Sequence, residues 1–183
     1  WYMLSENKNN TFKGVFPWLG MTQYLSGSTP TNDYPKNFWR NPTVNATVGG
    51  AVDSTRYVYR NAGPWPMMTA SEMQFTLAEA AFIKGDKATA LAAYKNGISL
   101  NFDMLTSTYS MNVPASKLIT PLMKTTYMTD PAIVPLTSAG LTLTHIMLQK
   151  YIALFGWGTH QTWTDMRKYH YVDMDNTTGH QVY

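Results

Sequence analysis

The chain has 183 residues, with 14 basic and 11 acidic side chains and no cysteine. The lack of cysteine excludes disulfides, thiolate metal sites and cysteine nucleophiles. A net charge of +3 without a run of Lys or Arg disfavours nucleic-acid binding, because that affinity comes largely from clustered basic residues that neutralise phosphates. Aromatic residues make up 14% of the sequence, as charged residues do, which suits an uncharged ligand such as a sugar or a peptide.

The hydropathy of the sequence and its two ends indicate how the chain relates to a membrane and to a longer polypeptide. No stretch can span a bilayer, since the most apolar one, residues 139 to 155, is short and contains His145, Gln149 and Lys150. The chain begins at Trp1 without a leader peptide and ends on an apolar pair of residues. We therefore expect an interior piece of a longer polypeptide, with any lipid anchor on sequence outside it.

Residues 1 to 66 are rich in proline and lack long periodic segments. Short β-like stretches occur at 44 to 52 and at 56 to 59, and prolines elsewhere in this region break regular structure. We expect a loop-rich, ligand-presenting region with short strands over residues 1–66 and a helical region over 67–183. The two regions together are expected to form part of one larger domain.

Helical signals begin at Thr69, which forms a capping box with Glu72. That box predicts a helix over residues 70 to 84, ended by Gly85, where glycine tolerates a left-handed turn. Asp86 is expected to cap a second helix over residues 87 to about 101. Two helices joined by so short a turn are expected to pack antiparallel.

This helical pair fits a tetratricopeptide template, in which small residues lie where the two helices touch. Ala78, Ala90 and Gly97 occupy the small positions, and Tyr94 occupies the aromatic one. Two other template positions do not match. One unit is visible, and a single unit cannot bury its own face, so partner helices must lie elsewhere.

Further along, the helical pattern is first ambiguous and then strong. Residues 115 to 123 could be helical although Pro121 interrupts them, and residues 130 to 135 indicate a loop. Ser138 is expected to cap a helix through residue 155 that is buried on most sides. Its apolar stripe comprises Leu141, His145, Leu148, Ile152 and Phe155, and it is broadened by Ile146, Tyr151 and Leu154. A short helix from 159 to about 169 and a polar turn from 173 to 179 follow.

Two ordered sequence blocks stand out in the helical region. The first is PMMTASEMQF at residues 66–75 followed by AEAA at 78–81, and the second is QKYIAL at 149–154 followed by WTDMR at 163–167. These blocks resemble the C-terminal part of the SusD/RagB family of outer-membrane nutrient-binding lipoproteins. The resemblance covers residues 64 to 175, and residues 1 to 63 match it only loosely.

The resemblance implies a location and a function. It implies a lipid-anchored surface protein of Bacteroidetes that sits on a TonB-dependent transporter and captures oligosaccharides or peptides. It also implies a mostly α fold with tetratricopeptide-like helical pairs, and a ligand site that is built from irregular segments. The absence of an evident catalytic set in the sequence agrees with this implication.

Histidine and carboxylate residues are the candidates for catalytic or metal-binding groups. His145 lies on the apolar stripe and is better explained as a hydrogen-bonded core residue, and the other histidines match no metal-ligand spacing. Glycoside hydrolysis needs a pair of carboxylates, and Glu79 is expected on a helix surface. Asp173 and Asp175 begin like a calcium loop, but no glycine or closing Glu follows at the required positions. A polar turn is favoured there.

Aromatic residues supply the candidate ligand contacts. Trp18, Tyr34 and Trp39 lie in proline-rich loops, where rings are harder to explain by core packing, although a core role stays open for each of them. Arg167 follows Trp163 by four residues and can stack on it, and a structural role is favoured over ligand contact.

Taken together, the sequence predicts a mostly α, non-catalytic protein without metal or cofactor. It would capture an oligosaccharide or peptide nutrient and deliver it to a TonB-dependent transporter. The alternative is a tetratricopeptide-type scaffold that binds a protein partner, and such a scaffold should show at least three tandem units. The sequence does not distinguish a glycan ligand from a peptide ligand.

Overall fold

A computed structural model describes residues 63–183 apart from 112, 114, 116 and 117. In this part of the chain there are five α-helices and one short 3₁₀ helix, and the β structure is an isolated antiparallel bridge between Met174 and Gln181. The predicted mostly α fold is therefore confirmed. The short strands predicted before residue 60 lie outside the described residues.

One compact unit comprises Trp65–Leu105 and Thr120–Tyr183 and holds all the contacts that follow. The segment Thr106–Ile119 belongs to a second unit. The boundary expected between residues 66 and 67 stays a prediction, because residues 1–62 lie outside the described part.

The first helix, α1, spans Ala70–Lys84 as predicted, and capping residues at its two ends determine where it begins and ends. The Thr69 hydroxyl accepts a hydrogen bond from the Glu72 amide at 3.0 Å, and the Thr69 amide donates to the Glu72 carboxylate at 3.5 Å. These bonds satisfy amides that the start of a helix leaves open. Gly85 ends the helix at a φ of 89°, a left-handed conformation that glycine adopts without steric cost.

The second helix, α2, spans Lys87–Thr108 and continues past the predicted end near residue 101. Asp86 caps it as predicted, since its carboxylate accepts from the Thr89 amide at 3.1 Å. The longer helix has a plain cause: no glycine or proline lies between residues 101 and 108, and Phe102 is buried. The tetratricopeptide template ends its second helix earlier, so the end that it predicts for α2 is wrong.

α1 and α2 form the predicted antiparallel pair. Ser71, near the start of α1, donates its hydroxyl hydrogen bond to the Gly97 carbonyl at 2.7 Å. Phe75, one turn later in α1, lies edge-on to Tyr94, one turn earlier in α2, with ring centroids 6.1 Å apart. The contacts therefore run in opposite directions along the two helices.

Small residues allow this close contact. Ala78 and Ala90 are fully buried. A Cβ added at Gly97 would lie 2.9 Å from Phe75 Cζ, closer than packed atoms tolerate. The small positions of the repeat template are thus buried positions here, and the wider tetratricopeptide-like architecture stays a prediction.

The third helix, α3, spans Pro121–Thr129 and begins where we expected an interruption. The helix considered over residues 115 to 123 is therefore wrong, because residues 118–120 are not helical. Proline fits the first helical position, because an amide there has no partner within the helix, and Thr120 supplies the cap. The loop predicted at 130 to 135 is confirmed.

The fourth helix, α4, spans Leu143–Leu154 and follows a 3₁₀ turn at Ser138–Gly140. The expected start at Ser138 was wrong, because Thr142 is the cap: its hydroxyl accepts from the His145 amide at 3.2 Å.

The buried face of α4 also differs from the predicted stripe. Leu148 is 43% exposed and Ile152 is 37% exposed. The buried residues of α4 are Ile146, Met147, Lys150, Ala153 and Leu154. Lys150 was not part of the predicted stripe, and it is buried because two buried carboxylates face it.

The fifth helix, α5, spans Thr159–Lys168, in agreement with the prediction. Beyond it, His170 and Tyr171 adopt left-handed φ angles of 49° and 62°, and the Tyr171 amide donates to the Met166 carbonyl at 3.0 Å. That bond satisfies a carbonyl that the end of the helix leaves open, in a left-handed turn of the kind that glycine usually forms. The polar turn predicted at 173 to 179 is present and leads back towards α5.

Candidate functional site

Four charged side chains from three helices meet inside the compact unit, and we call them the charge network. Lys150 Nζ lies 2.7 Å from Asp165 Oδ2 and 3.4 Å from Glu79 Oε2. Lys168 Nζ lies 2.6 Å from Glu79 Oε1. Glu79, Lys150 and Asp165 are buried, whereas Lys168 reaches in from the surface.

Two tyrosine hydroxyls complete the hydrogen bonding of this network. Tyr169 donates to Glu79 Oε1 at 2.6 Å, and Tyr183 donates to Asp165 Oδ2 at 3.2 Å. Each carboxylate therefore has at least one ammonium and one phenol as partners. The formal charges sum to zero, which offsets part of the large desolvation cost of burying a single ion.

The pKa shifts in the network follow from these contacts. Burial alone would raise the pKa of Glu79, but hydrogen bonds from Lys168 and Tyr169 and the charge of Lys150 outweigh it, and the pKa falls below its ordinary value of 4.5. The pKa values of Tyr169 and Tyr183 are raised, first by burial and then by the carboxylates beside them. Glu79 is therefore ionised and both phenols are protonated at neutral pH.

The network does not have the properties of a hydrolytic carboxylate pair. Its contacts with Lys150 bring the oxygens of Glu79 and Asp165 within about 6 Å of each other, near the roughly 5–5.5 Å separation of retaining glycosidases. The Lys150 ammonium lies between them, and a lowered pKa leaves Glu79 without the proton that a general acid donates. Glu79 is 4% exposed, so the expectation that it lies on a helix surface was wrong.

Another buried carboxylate, Asp175, caps α4 across a long sequence separation. Its Oδ2 accepts from the amide and the hydroxyl of Thr144 at 2.9 and 3.0 Å, and its Oδ1 accepts from the Thr177 amide at 2.8 Å. Burial opposes ionisation, but these hydrogen bonds outweigh it and lower the pKa of Asp175. The carboxylate thus stabilises the positive end of α4 and holds the polar turn.

His145 makes the kind of hydrogen bond that the sequence suggested, although it is only half-buried. Its Nδ1 lies 2.6 Å from the Thr142 hydroxyl, and its ring lies edge-on to Tyr94 with centroids 6.5 Å apart. Burial lowers the pKa of His145, and the charge of Asp175 opposes that shift in part. These contacts fit a structural role at the start of α4.

The outward face of α5 carries Trp163 and Arg167. The Trp163 side chain is 53% exposed, and the guanidinium carbon of Arg167 lies 4.8 Å from its ring centroid, as the four-residue spacing predicts. The buried residues of this fully described helix are Thr162 and Asp165. α5 therefore reverses the usual amphipathic pattern, with polar groups inside and its tryptophan outside.

The ligand contacts predicted from the sequence, Trp18, Tyr34 and Trp39, lie outside the described residues and stay predictions. The residues that sequence reasoning missed are those of the charge network. One signal for them was available: Lys150 lies at helical spacing from Ile146 and Leu154, so it shares an apolar face on which an unpaired lysine would be costly.

Residues 8–182 match the family model SusD-like_2, described as starch-binding associating with outer membrane. Since the match covers nearly the whole chain, the chain belongs to this family, and the resemblance inferred from two sequence blocks is confirmed. Searches of curated proteins and of solved structures give no match. Of the helices in the described part, none is long and apolar enough to cross a bilayer.

The two blocks that carry the resemblance meet in the charge network. Glu79 belongs to the first block, and Lys150 and Asp165 belong to the second. Residues that identify the family in this sequence therefore hold its helices together.

Proposed function

We propose that this protein captures an oligosaccharide or peptide nutrient at the bacterial cell surface and passes it to a TonB-dependent transporter without breaking bonds. The observation that carries the proposal is the match of residues 8–182 to a family described as starch-binding in association with the outer membrane. Starch is a neutral polymer, so a neutral oligosaccharide is the ligand class that we place first.

Non-catalytic capture is supported by the roles of the carboxylates. Every acidic side chain of the described part accepts a hydrogen bond or pairs with a cation: Glu72, Glu79, Asp86, Asp103, Asp130, Asp165, Asp173 and Asp175. A glycan hydrolase needs two carboxylates directed at the substrate. The described carboxylates are instead committed to helix ends, turns and ion pairs.

We place the ligand on the rings of the N-terminal region, Trp18, Tyr34 and Trp39. Flat rings bind the apolar face of a sugar, or an apolar side chain of a peptide, since both partners lose water-exposed apolar surface. The protein is held at the outer membrane by a lipid anchor on sequence outside this chain.

The α1–α2 pair favours one other candidate, a tetratricopeptide-type scaffold for a protein partner. Ala78, Ala90 and Gly97 lie buried in this pair, as the template requires. A scaffold would bind a peptide segment and would be indifferent to polysaccharides.

Electrophoresis in gels that contain soluble starch tests the proposal and its site. We expect starch to retard the protein, and at least one of Trp18→Ala, Tyr34→Ala and Trp39→Ala to migrate more freely while melting near the parent temperature. If all three variants migrate like a retarded parent, these rings do not contact the ligand, and if their loss unfolds the protein, they are core residues. A parent that starch does not retard, but that a peptide digest binds, supports the scaffold or a peptide nutrient.

A further inference from the structure

We propose that the outward face of α5, centred on Trp163 and Arg167, is a second contact surface for a neutral oligosaccharide. This inference rests on the proposed function. It adds a site in the helical region, separate in sequence from the three N-terminal rings.

The charge network explains why Trp163 points outward. Asp165 of α5 pairs with Lys150 at 2.7 Å, and Lys168 pairs with Glu79 at 2.6 Å, so the inner face of the helix is fixed by two ion pairs. Successive residues of an α-helix are rotated by about 100°, so Trp163 lies roughly opposite Asp165. Burying Asp165 therefore presents the indole to solvent, where 53% of the side chain is exposed.

Arg167 prepares the ring for contact. Its guanidinium carbon lies 4.8 Å from the indole centroid, which favours one orientation of the ring. Because the helix beneath is anchored and the ring is already ordered, a ligand that stacks on it loses little further side-chain entropy. An ordered indole on a rigid helix is a suitable platform for the apolar face of a sugar ring.

The size and polarity of this face favour a sugar over a protein. Trp163 is the one large apolar side chain that α5, described in full, exposes. A half-exposed ring offers less than the about 150–250 Å² of a whole aromatic side chain, well below the roughly 800 Å² that each partner buries in a stable protein interface. His160, three residues before Trp163, and Arg167, four after it, are exposed and can hydrogen-bond sugar hydroxyls.

Calorimetric titration of the whole chain with maltoheptaose tests the inference. We expect Trp163→Ala to weaken binding by about tenfold or more, the range for loss of an anchoring ring, while Trp163→Tyr keeps most of it. The matched control is Trp65→Ala, which removes another tryptophan that is 59% exposed and should bind like the parent.

A second measurement does not depend on how well Trp163→Ala folds. In ¹⁹F spectra of the 5-fluorotryptophan-labelled protein, the Trp163 resonance is identified as the one that is absent from Trp163→Tyr. This resonance should shift when maltoheptaose is added to the parent protein. The resonance missing from Trp65→Phe should not shift.

Three outcomes overturn the inference, and the first of them separates it from the proposed function. If the parent binds maltoheptaose and Trp163→Ala binds equally well, the α5 surface is wrong and nutrient capture stands. If the parent does not bind maltoheptaose, the inference fails together with the ligand class that we place first. If Trp163→Ala converts a dimer into a monomer in sedimentation experiments, this face is a contact between two copies.

Discussion

Lys150 connects two carboxylates that are far apart in the sequence. It lies on a face of α4 that also buries Ile146 and Leu154, and its ammonium contacts Glu79 of α1 and Asp165 of α5. A lysine in such surroundings is stable only while its charge is matched. Its partners have the same requirement, because without Lys150 the buried Asp165 keeps only the Tyr183 hydroxyl among the contacts described above.

Replacement of Lys150 by methionine should therefore be costly. Lys150→Met keeps an unbranched side chain of similar length but leaves two carboxylates with one ammonium. We expect a loss of about 3–5 kcal/mol in the free energy of unfolding, measured in urea, as for a broken buried ion pair. The matched control is Lys124→Met, which removes the exposed pair with Asp103 and should change stability by about 1 kcal/mol or less. Equal effects of the two variants would contradict the role given to the network.

Glu79 predicts the direction in which the free energy of unfolding changes with pH. Its pKa is lower in the folded protein than the ordinary 4.5, so ionised Glu79 contributes stability above that value, and the contribution is lost as the pH falls through the folded pKa. The gap in unfolding free energy between the parent and Glu79→Gln should thus narrow as the pH is lowered from 7 to 3. A gap that stays constant or widens over this range would show that the carboxylate is not stabilised by its partners.

At the level of the elements, the helices differ in how locally they are determined. α1 was predicted to the residue, because Thr69, Glu72 and Gly85 set both its ends through contacts within a few residues. α4 was not, since its start depends on Thr142 and on Asp175, which reaches Thr144 across 31 residues. Its rotation depends on Glu79, which lies 71 residues from Lys150. The Thr142 cap is a local signal, but no local pattern contains the contacts with Asp175 and Glu79.

The contact between α1 and α2 depends on a glycine. Gly97→Ala would add helix propensity of about 1 kcal/mol, but its Cβ would lie 2.9 Å from Phe75 Cζ, and Phe75 is 1% exposed with little room to move. We expect overpacking to prevail and stability to fall by about 1–3 kcal/mol in thermal or urea unfolding.

The neighbouring residue provides a control for this substitution. Asn96 is exposed on the same helix, so Asn96→Ala should gain a few tenths of a kcal/mol from propensity alone. If Gly97→Ala were stabilised as much as Asn96→Ala, the close packing of the two helices would be wrong.

At the level of the whole molecule, fold class and family were readable from the sequence, whereas the pairing of the interior charges was not. Helix caps and apolar periodicity are local, and they predicted the mostly α fold and the antiparallel pair. The two family blocks were recognised as separate segments, and only the structure shows that Glu79 and Lys150 bring them together. The predicted ligand rings, Trp18, Tyr34 and Trp39, remain to be tested by binding.

The central claim is that this protein binds a nutrient oligomer and leaves it intact. The most direct test is calorimetric titration of the chain with a panel of neutral oligosaccharides and short peptides, followed by chromatographic recovery of each ligand. We predict saturable binding of at least one oligomer, maltoheptaose being the first choice, and recovery of that oligomer at its original length. Recovery of shortened products, or the absence of binding across the whole panel, would contradict the account.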